Sequence, residues 1–204
     1  YFSRDIKEQK LEFPEVENPI PFYYQLNEDE DKIFNETIQL ITRKFNYARY
    51  TPLLFFEGKI TQPQELSQRN MCKFMKILLV KRLESSFYAF RNSIDRFIHS
   101  YKMFIKEFEN GNVYVSKKYI NKIFELLEND DDEAVQRLID EAKAEKYDSK
   151  DFRDDFKPAL RNDLNILNRI KSLWENVKRD PKLEKLLNEL SKNTILKKKK
   201  LIIF

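Results

Sequence analysis

Glycine is nearly absent, with two residues in a chain of 204. A phosphate-cradling loop of the GxxxxGK[ST] kind needs several glycines close together, and the isolated Gly58 and Gly111 cannot supply them. Cysteine and histidine occur once each, as Cys72 and His99. One of each excludes a disulfide framework, leaves too few ligands for a zinc site, and supports no Ser/His/Asp relay. Cys72 falls in an apolar helical pattern, the setting of a buried and inert thiol rather than a nucleophile. His99, among Ile98, Ser100 and Tyr101, reads as a structural histidine. No acidic box follows an apolar strand, and the Asp130–Glu133 run reads as a solvated helix start. No apolar run approaches the roughly 20 residues a membrane helix needs, and no signal-peptide pattern opens the chain. The expectation is a reduced, cytoplasmic setting with no membrane contact, and no catalytic, cofactor or metal residue of its own.

What is present is charge and regular apolar spacing. Charged residues make up 35% of the chain and hydrophobic residues 41%, with only 7 prolines. Few breakers combined with helical periodicity predict an all-α protein. The net charge of +4 conceals blocks. Pro63 to Lys106 carries nine Lys/Arg against three Asp/Glu, a net of +6. Glu125 to Phe156 carries five against thirteen, a net of −8, and Lys157 to Lys200 thirteen against five, a net of +8. A basic helix surface is the footprint of a phosphate-contacting element, although long solvated helices also carry such charge. The acidic block is expected to face solvent or to dock on the basic helices.

Along the chain, Pro14, Pro19 and Pro21 predict an extended opening in which IPFYYQL forms a short strand. Asn27 followed by Glu30 reads as a capping box, and Phe34, Ile38, Ile41 and Phe45 fall on one helical face. After a turn-rich stretch from about Tyr47 to Gln62, Pro63 suits the first turn of a helix that ends at Asn110–Gly111. Leu83, Phe87, Phe90, Ile94, Phe97, Tyr101, Phe104 and Phe108 alternate steps of four and three along it, a seam that wants a partner helix. Two shorter helices are expected at Ser116–Glu128 and Glu133–Lys146. Pro158 opens another, with Leu160, Leu164, Leu167, Trp174 and Val177 on one side, the natural antiparallel partner of the long helix. Asp180–Pro181 starts a last one carrying Leu183, Leu186, Leu187 and Leu190. Lys197–Lys200 then precedes LIIF, which reads as the first buried strand of a truncated neighbour. Tyr1 in place of an initiator Met and this apolar ending predict a piece of a larger polypeptide.

The expected architecture is an all-α, elongated helical bundle around one very long helix, with a short N-terminal extended segment and a C-terminal strand stub. Its divisions are 1–26, extended; 27–196, helical; and 197–204, the strand. Within the helical part the basic long helix takes 63–110, the acidic segment 125–156 and the return helices 158–192.

Several words, in order, resemble the segment joining the two RecA-like lobes in a bacterial branch of Swi/Snf-type, superfamily two DEAD/DEAH-like ATP-dependent helicases. YFSRDI resembles the tail leaving the first lobe, and FPEVENPIPFYYQLNEDEDKIF the proline-flanked strand and acidic helix after it. RYTPLLFFEG and RNMCKFMKILLVKRLESSFYAFRNSIDR resemble the helical connector. KRLESS, Lys81 to Ser86, is the most specific of these words. DPKLEKLLNEL followed by KKKKLIIF resembles the start of the second lobe. The stretch from about Asn110 to Lys157 has no counterpart. The resemblance implies an ATP-hydrolysing parent that uses ATP and magnesium, flanking RecA-like lobes and DNA as partners, no obligate oligomer, and a nucleoid-associated place in the cytoplasm. It also implies that Lys73, Lys76, Lys81, Arg82 and Arg91 include DNA-phosphate contacts. Ser85 and Ser86 would donate to the same backbone or cap a kink in the long helix. Lys81–Arg82 could instead pair with Glu84 or dock on a lobe. Neither set of nucleotide motifs is present in this stretch, so the implied role is coupling, not hydrolysis. Two other classes compete: a self-standing helical coiled-coil or bundle scaffold, and a small nucleic-acid-binding module without a motor.

Overall fold

The computed structural model of the chain describes residues 18–19, 21–115 and 145–194. The opening tail, the two short helices expected between 116 and 144 and the Lys197–Phe204 stub lie outside them, apart from the end of the second helix. That end, Glu145 and Lys146, is in a strand instead.

Five α-helices dominate the described residues, joined by short turns and one two-stranded ribbon. The mostly helical character expected from the sequence holds. Residues 21–26 of the expected IPFYYQL strand are irregular; among the described residues no strand pairs with them, and Pro21 offers no N–H to one. Helix α1, Glu28–Gln39, starts at the anticipated capping box. The Asn27 side chain accepts from the Glu30 N–H at 2.8 Å, and the Glu30 carboxylate accepts from the Asn27 N–H at 2.9 Å. Four acidic residues in the first turn complement its dipole. The helix loosens into a π-helical turn, Leu40–Lys44, and two 3-10 turns follow at Ala48–Tyr50 and Pro52–Phe55.

Helix α2, Gln62–Ser85, opens on a second capping box between Thr61 and Gln64. The expected single helix over 63–110 is then corrected. The run is two helices, α2 and α3, Phe87–Glu109, meeting at Ser86, whose backbone is extended at φ −156 and ψ 130. Ser86 ends one helix and begins the next: its N–H bonds the Arg82 carbonyl, while its hydroxyl accepts from the Ala89 N–H at 3.3 Å. Two consecutive serines offer the backbone alternative partners, which is how a helix stops and restarts. The apolar spacing conceals the break because Leu83 and Phe87 are both buried across it.

Helix α3 ends at Asn110, and Gly111 takes the left-handed conformation at φ 87 as foreseen. Strand β1, Asn112–Val115, pairs antiparallel with β2, Glu145–Asp148, with Val113 opposite Tyr147. Helix α4, Phe156–Trp174, then runs antiparallel to α3. Phe87 meets Trp174 at 4.6 Å, Tyr101 meets Asp163, and Glu109 bridges Lys157 and Arg161 at the far end. From Leu83 to Tyr101 the seam is buried, and Phe104 and Phe108 are half-buried against Phe156. Each fully buried member contributes about 1.5–3 kcal/mol. Helix α5, Pro181–Lys192, starts at Asp180, which accepts from the Leu183 N–H.

Candidate functional site

Of the seven residues the sequence singles out, the fold spends four on itself. Lys76 donates from Nζ to the Thr42 carbonyl at 2.8 Å, closing the end of the π-helical turn. Arg91 donates from Nη1 to the Val177 carbonyl at 2.8 Å, tying α3 to the segment after α4. Arg82 is half-buried and already engaged in an interaction within the chain. Ser86 is the cap between α2 and α3. That leaves Lys73, Lys81 and Ser85 exposed on α2. Lys73 and Lys81 stand two turns apart, about 12 Å along the axis, so they do not form one cluster.

Near Ser86 the chain joins two cation-bearing segments that sequence reading did not bring together. Lys182, the second residue of α5, reaches back to the Glu84 carbonyl at 3.3 Å with its Nζ and remains exposed. Val177 is held by Arg91, and the exposed Lys178 follows it directly. Arg179 bonds Glu30 at 2.9 Å and Glu184 at 2.9 Å, so α1, α5 and the loop between α4 and α5 are locked together there. Exposed lysines from two distant stretches of sequence, Lys81 on one side and Lys178 and Lys182 on the other, thus lie on segments joined near the corner at Ser86 by the Lys182–Glu84 and Arg91–Val177 bonds. Most neighbouring carboxylates are occupied: Glu30 closes a capping box and pairs with Arg179, Asp180 caps α5, and Glu184 pairs with Arg179. Glu84 stands exposed beside them. The sequence signal for Lys178 and Lys182 is only the basic excess of the 157–200 block, which does not say which face each side chain takes.

A second polar constellation is buried. Asp163 on α4 accepts from the Asn46 N–H at 2.7 Å, the Ala48 N–H at 2.8 Å and the Tyr101 hydroxyl at 3.0 Å. It holds Tyr47 between them in the left-handed region at φ 60, a costly conformation for a bulky residue that these bonds enforce. Burial outweighs the donors and pushes the Asp163 carboxyl up to about 6. Burial, with Asp163 nearby, also raises the Tyr101 hydroxyl, and burial raises the Cys72 thiol. Cys72 is half-buried, and His99 lies on the solvent side of α3. A cleft of about 130 Å³ between α3 and α4, floored by Phe90, Ile94, Ile170 and Trp174, does not reach Asp163. It is smaller than an ordinary small-molecule site. The bonds that Asp163 accepts from Asn46, Ala48 and Tyr101 make it a structural clamp joining α4 to α3 and to the turn after α1.

Among the described residues, no group of three or more His, Cys, Asp or Glu side chains is arranged to hold a metal ion, and no helix is long and apolar enough to cross a membrane. Compared with known proteins, the chain matches no family model, no curated protein and no solved structure.

Proposed function

We propose that this chain is the helical segment between the two RecA-like lobes of an ATP-dependent DNA translocase, where it contacts the DNA backbone and couples lobe motion. The observation that carries the reading is the bond from Lys182 Nζ to the Glu84 carbonyl, which brings an exposed cation of α5 to the corner inside the KRLESS word, where Lys81 is also exposed. Lys178, next to the Val177 that Arg91 holds, is the third proposed contact. Exposed ammonium groups bind phosphates as point charges and release condensed counterions, with no need for a pocket. The corner also joins the stretches that lead toward each end of the chain, through the Arg179–Glu30 and Arg91–Val177 contacts. A rigid junction of that kind passes displacement from one neighbour to the other. ATP and magnesium belong to the flanking lobes in this reading, and the acidic 125–156 segment takes no part in the DNA contact.

The test is the salt dependence of duplex binding by the chain, followed by fluorescence anisotropy. Three phosphates neutralised give a slope of log affinity against log salt of about −2.7. Lys81→Glu with Lys182→Glu is expected to flatten the slope to about −0.9 and to weaken binding at least tenfold. Unchanged affinity and slope would remove the corner from the DNA contact. The same pair of changes is expected to weaken DNA stimulation of the motor's ATPase.

One observation favours a scaffold instead. Leu183, Leu186 and Leu187 share one side of α5 and are exposed at 51%, 37% and 55%. A scaffold would show a concentration-dependent mass in sedimentation and no affinity for DNA.

A further inference from the structure

Helix α5 carries an apolar face that the described residues leave bare. Leu183, Leu186 and Leu187 are exposed, and Leu190, one turn on, is half-buried on the same side. Spacings of three, one and three put the four on one face, a seam built to be covered. Three leucines fall well short of the about 800 Å² per partner that a stable association between separate molecules needs. A tethered segment faces no such threshold, because its effective concentration is on the order of millimolar. The hydrogen bonds at the start of α5 show which part of the chain arrives there. Oε2 of Glu30 accepts from the Asn27 N–H and from Arg179 Nη1, each at 2.9 Å, and Arg179 Nε donates to Glu184 on α5 at 2.9 Å. The chain upstream of Asn27 therefore comes off beside the first turn of α5.

We infer that the leucine stripe of α5 is covered by the chain's own residues 11–17. That segment brings Leu11, Phe13 and Val16 to the stripe, interleaved with Glu12, Glu15 and Glu17 and with no cation. Its charge suits the place. Lys178 and Lys182 are exposed at the start of α5, whereas Glu184 and Glu189 already pair with Arg179 and Lys185. Its tether is long enough: ten residue steps from Glu17 to Asn27 reach up to about 33 Å, and the twelve residues of α5 span about 18 Å. Residues 21–26 do not fill the role, since the leucines stay exposed with those residues in place. So covered, the stripe is closed to an outside partner.

The experiment follows hydrogen exchange of the α5 amides by mass spectrometry in the full chain, in Phe13→Glu, in Leu187→Glu and in the double variant. Leucine and glutamate have nearly equal helix propensity, so a bare α5 would tolerate Leu187→Glu unchanged. Each single change is expected to speed α5 exchange about tenfold, and the double no more than either alone. Exchange in Phe13→Glu that stays within about twofold of the parent overturns the inference, as do rates that multiply in the double. A sedimentation mass that rises with concentration in the parent and returns to the monomer in Leu187→Glu also overturns it, because a second copy then covers the stripe. None of these outcomes depends on whether the Ser86 corner binds DNA. Trp174 fluorescence verifies that each variant keeps its fold.

Discussion

A single buried carboxylate organises more of this protein than any exposed charge. Asp163 reaches two backbone N–H groups of the turn after α1 and the hydroxyl of Tyr101 on α3, so three segments depend on it. Replacing it by Asn turns one acceptor oxygen into a donor facing donors. Asp163→Asn is expected to cost about 2–4 kcal/mol, measured by urea unfolding near neutral pH. The pH dependence has a definite sign. A carboxyl raised from 3.8 to about 6 binds its proton more tightly in the folded state. Its contribution therefore falls as pH rises from about 4 to about 6, by about 3 kcal/mol, and is flat above that. Asp163→Asn should remove this contribution, so that the difference between variant and parent widens toward acid pH. A constant difference across that window would show that Asp163 titrates as an ordinary carboxylate. Lys76 and Arg91 behave at the same scale as pins, since each is half-buried and ties its helix to a backbone carbonyl of another segment. Neutralising either should lower stability more than it lowers DNA affinity.

Between residue and molecule, the decisive event is the break at Ser86. A continuous 48-residue helix would span about 70 Å and carry most of α2 away from the core. Breaking it lets α2 bury Met75, Leu79 and Leu83 while α3 buries its own seam against α4. The cap has a predictable worth. Ser86→Ala removes the hydroxyl that accepts from Ala89 and is expected to cost about 1 kcal/mol, whereas Ser86→Gly should cost only a few tenths. Thermal melts of the two variants test this ordering, and equal losses would show that the extended backbone, not the hydroxyl, sets the corner. The ribbon β1–β2 had no usable sequence signature. Each strand has four residues, and the partners are separated by a long intervening segment. The expected helix over 133–146 failed at its end because Glu145 and Lys146 pair with Val115 and Tyr114.

At the scale of the whole molecule, Trp174 is the natural reporter. Its Nε1 donates to Thr37 on α1 at 2.8 Å, and its ring meets Phe87 and Phe90 on α3. One side chain thus joins its own α4 to two other helices, and Asp163 ties a further turn to the same α4. The described residues are expected to unfold as one cooperative unit, with Trp174 fluorescence and helical circular dichroism sharing a midpoint. Separate midpoints would mean that α1 or α5 melts apart from the α3–α4 pair. Truncating the reporter, Trp174→Ala, should cost about 3–5 kcal/mol through the cavity it leaves. The proposed DNA contact also belongs here, because its cations come from α2, the α4–α5 loop and α5, segments that only the folded chain joins through the Lys182–Glu84 and Arg91–Val177 bonds.

Sequence by itself determined the helical class, the Asn27–Glu30 box, the apolar seam of α3, its antiparallel partner α4, the glycine stop at Gly111 and the Asp180 start of α5. Each of these is local: a side chain competing for a nearby backbone group, or a repeat close to 3.6 residues that any helix must present. The break at Ser86 was legible only as one alternative for Ser85 and Ser86, and tertiary structure alone decided that Lys76 and Arg91 bond the carbonyls of Thr42 and Val177 and that Lys182 reaches Glu84. Those outcomes turn on which distant carbonyl or carboxylate lies within reach of a flexible cation, a matter of three-dimensional distance that residue spacing does not encode.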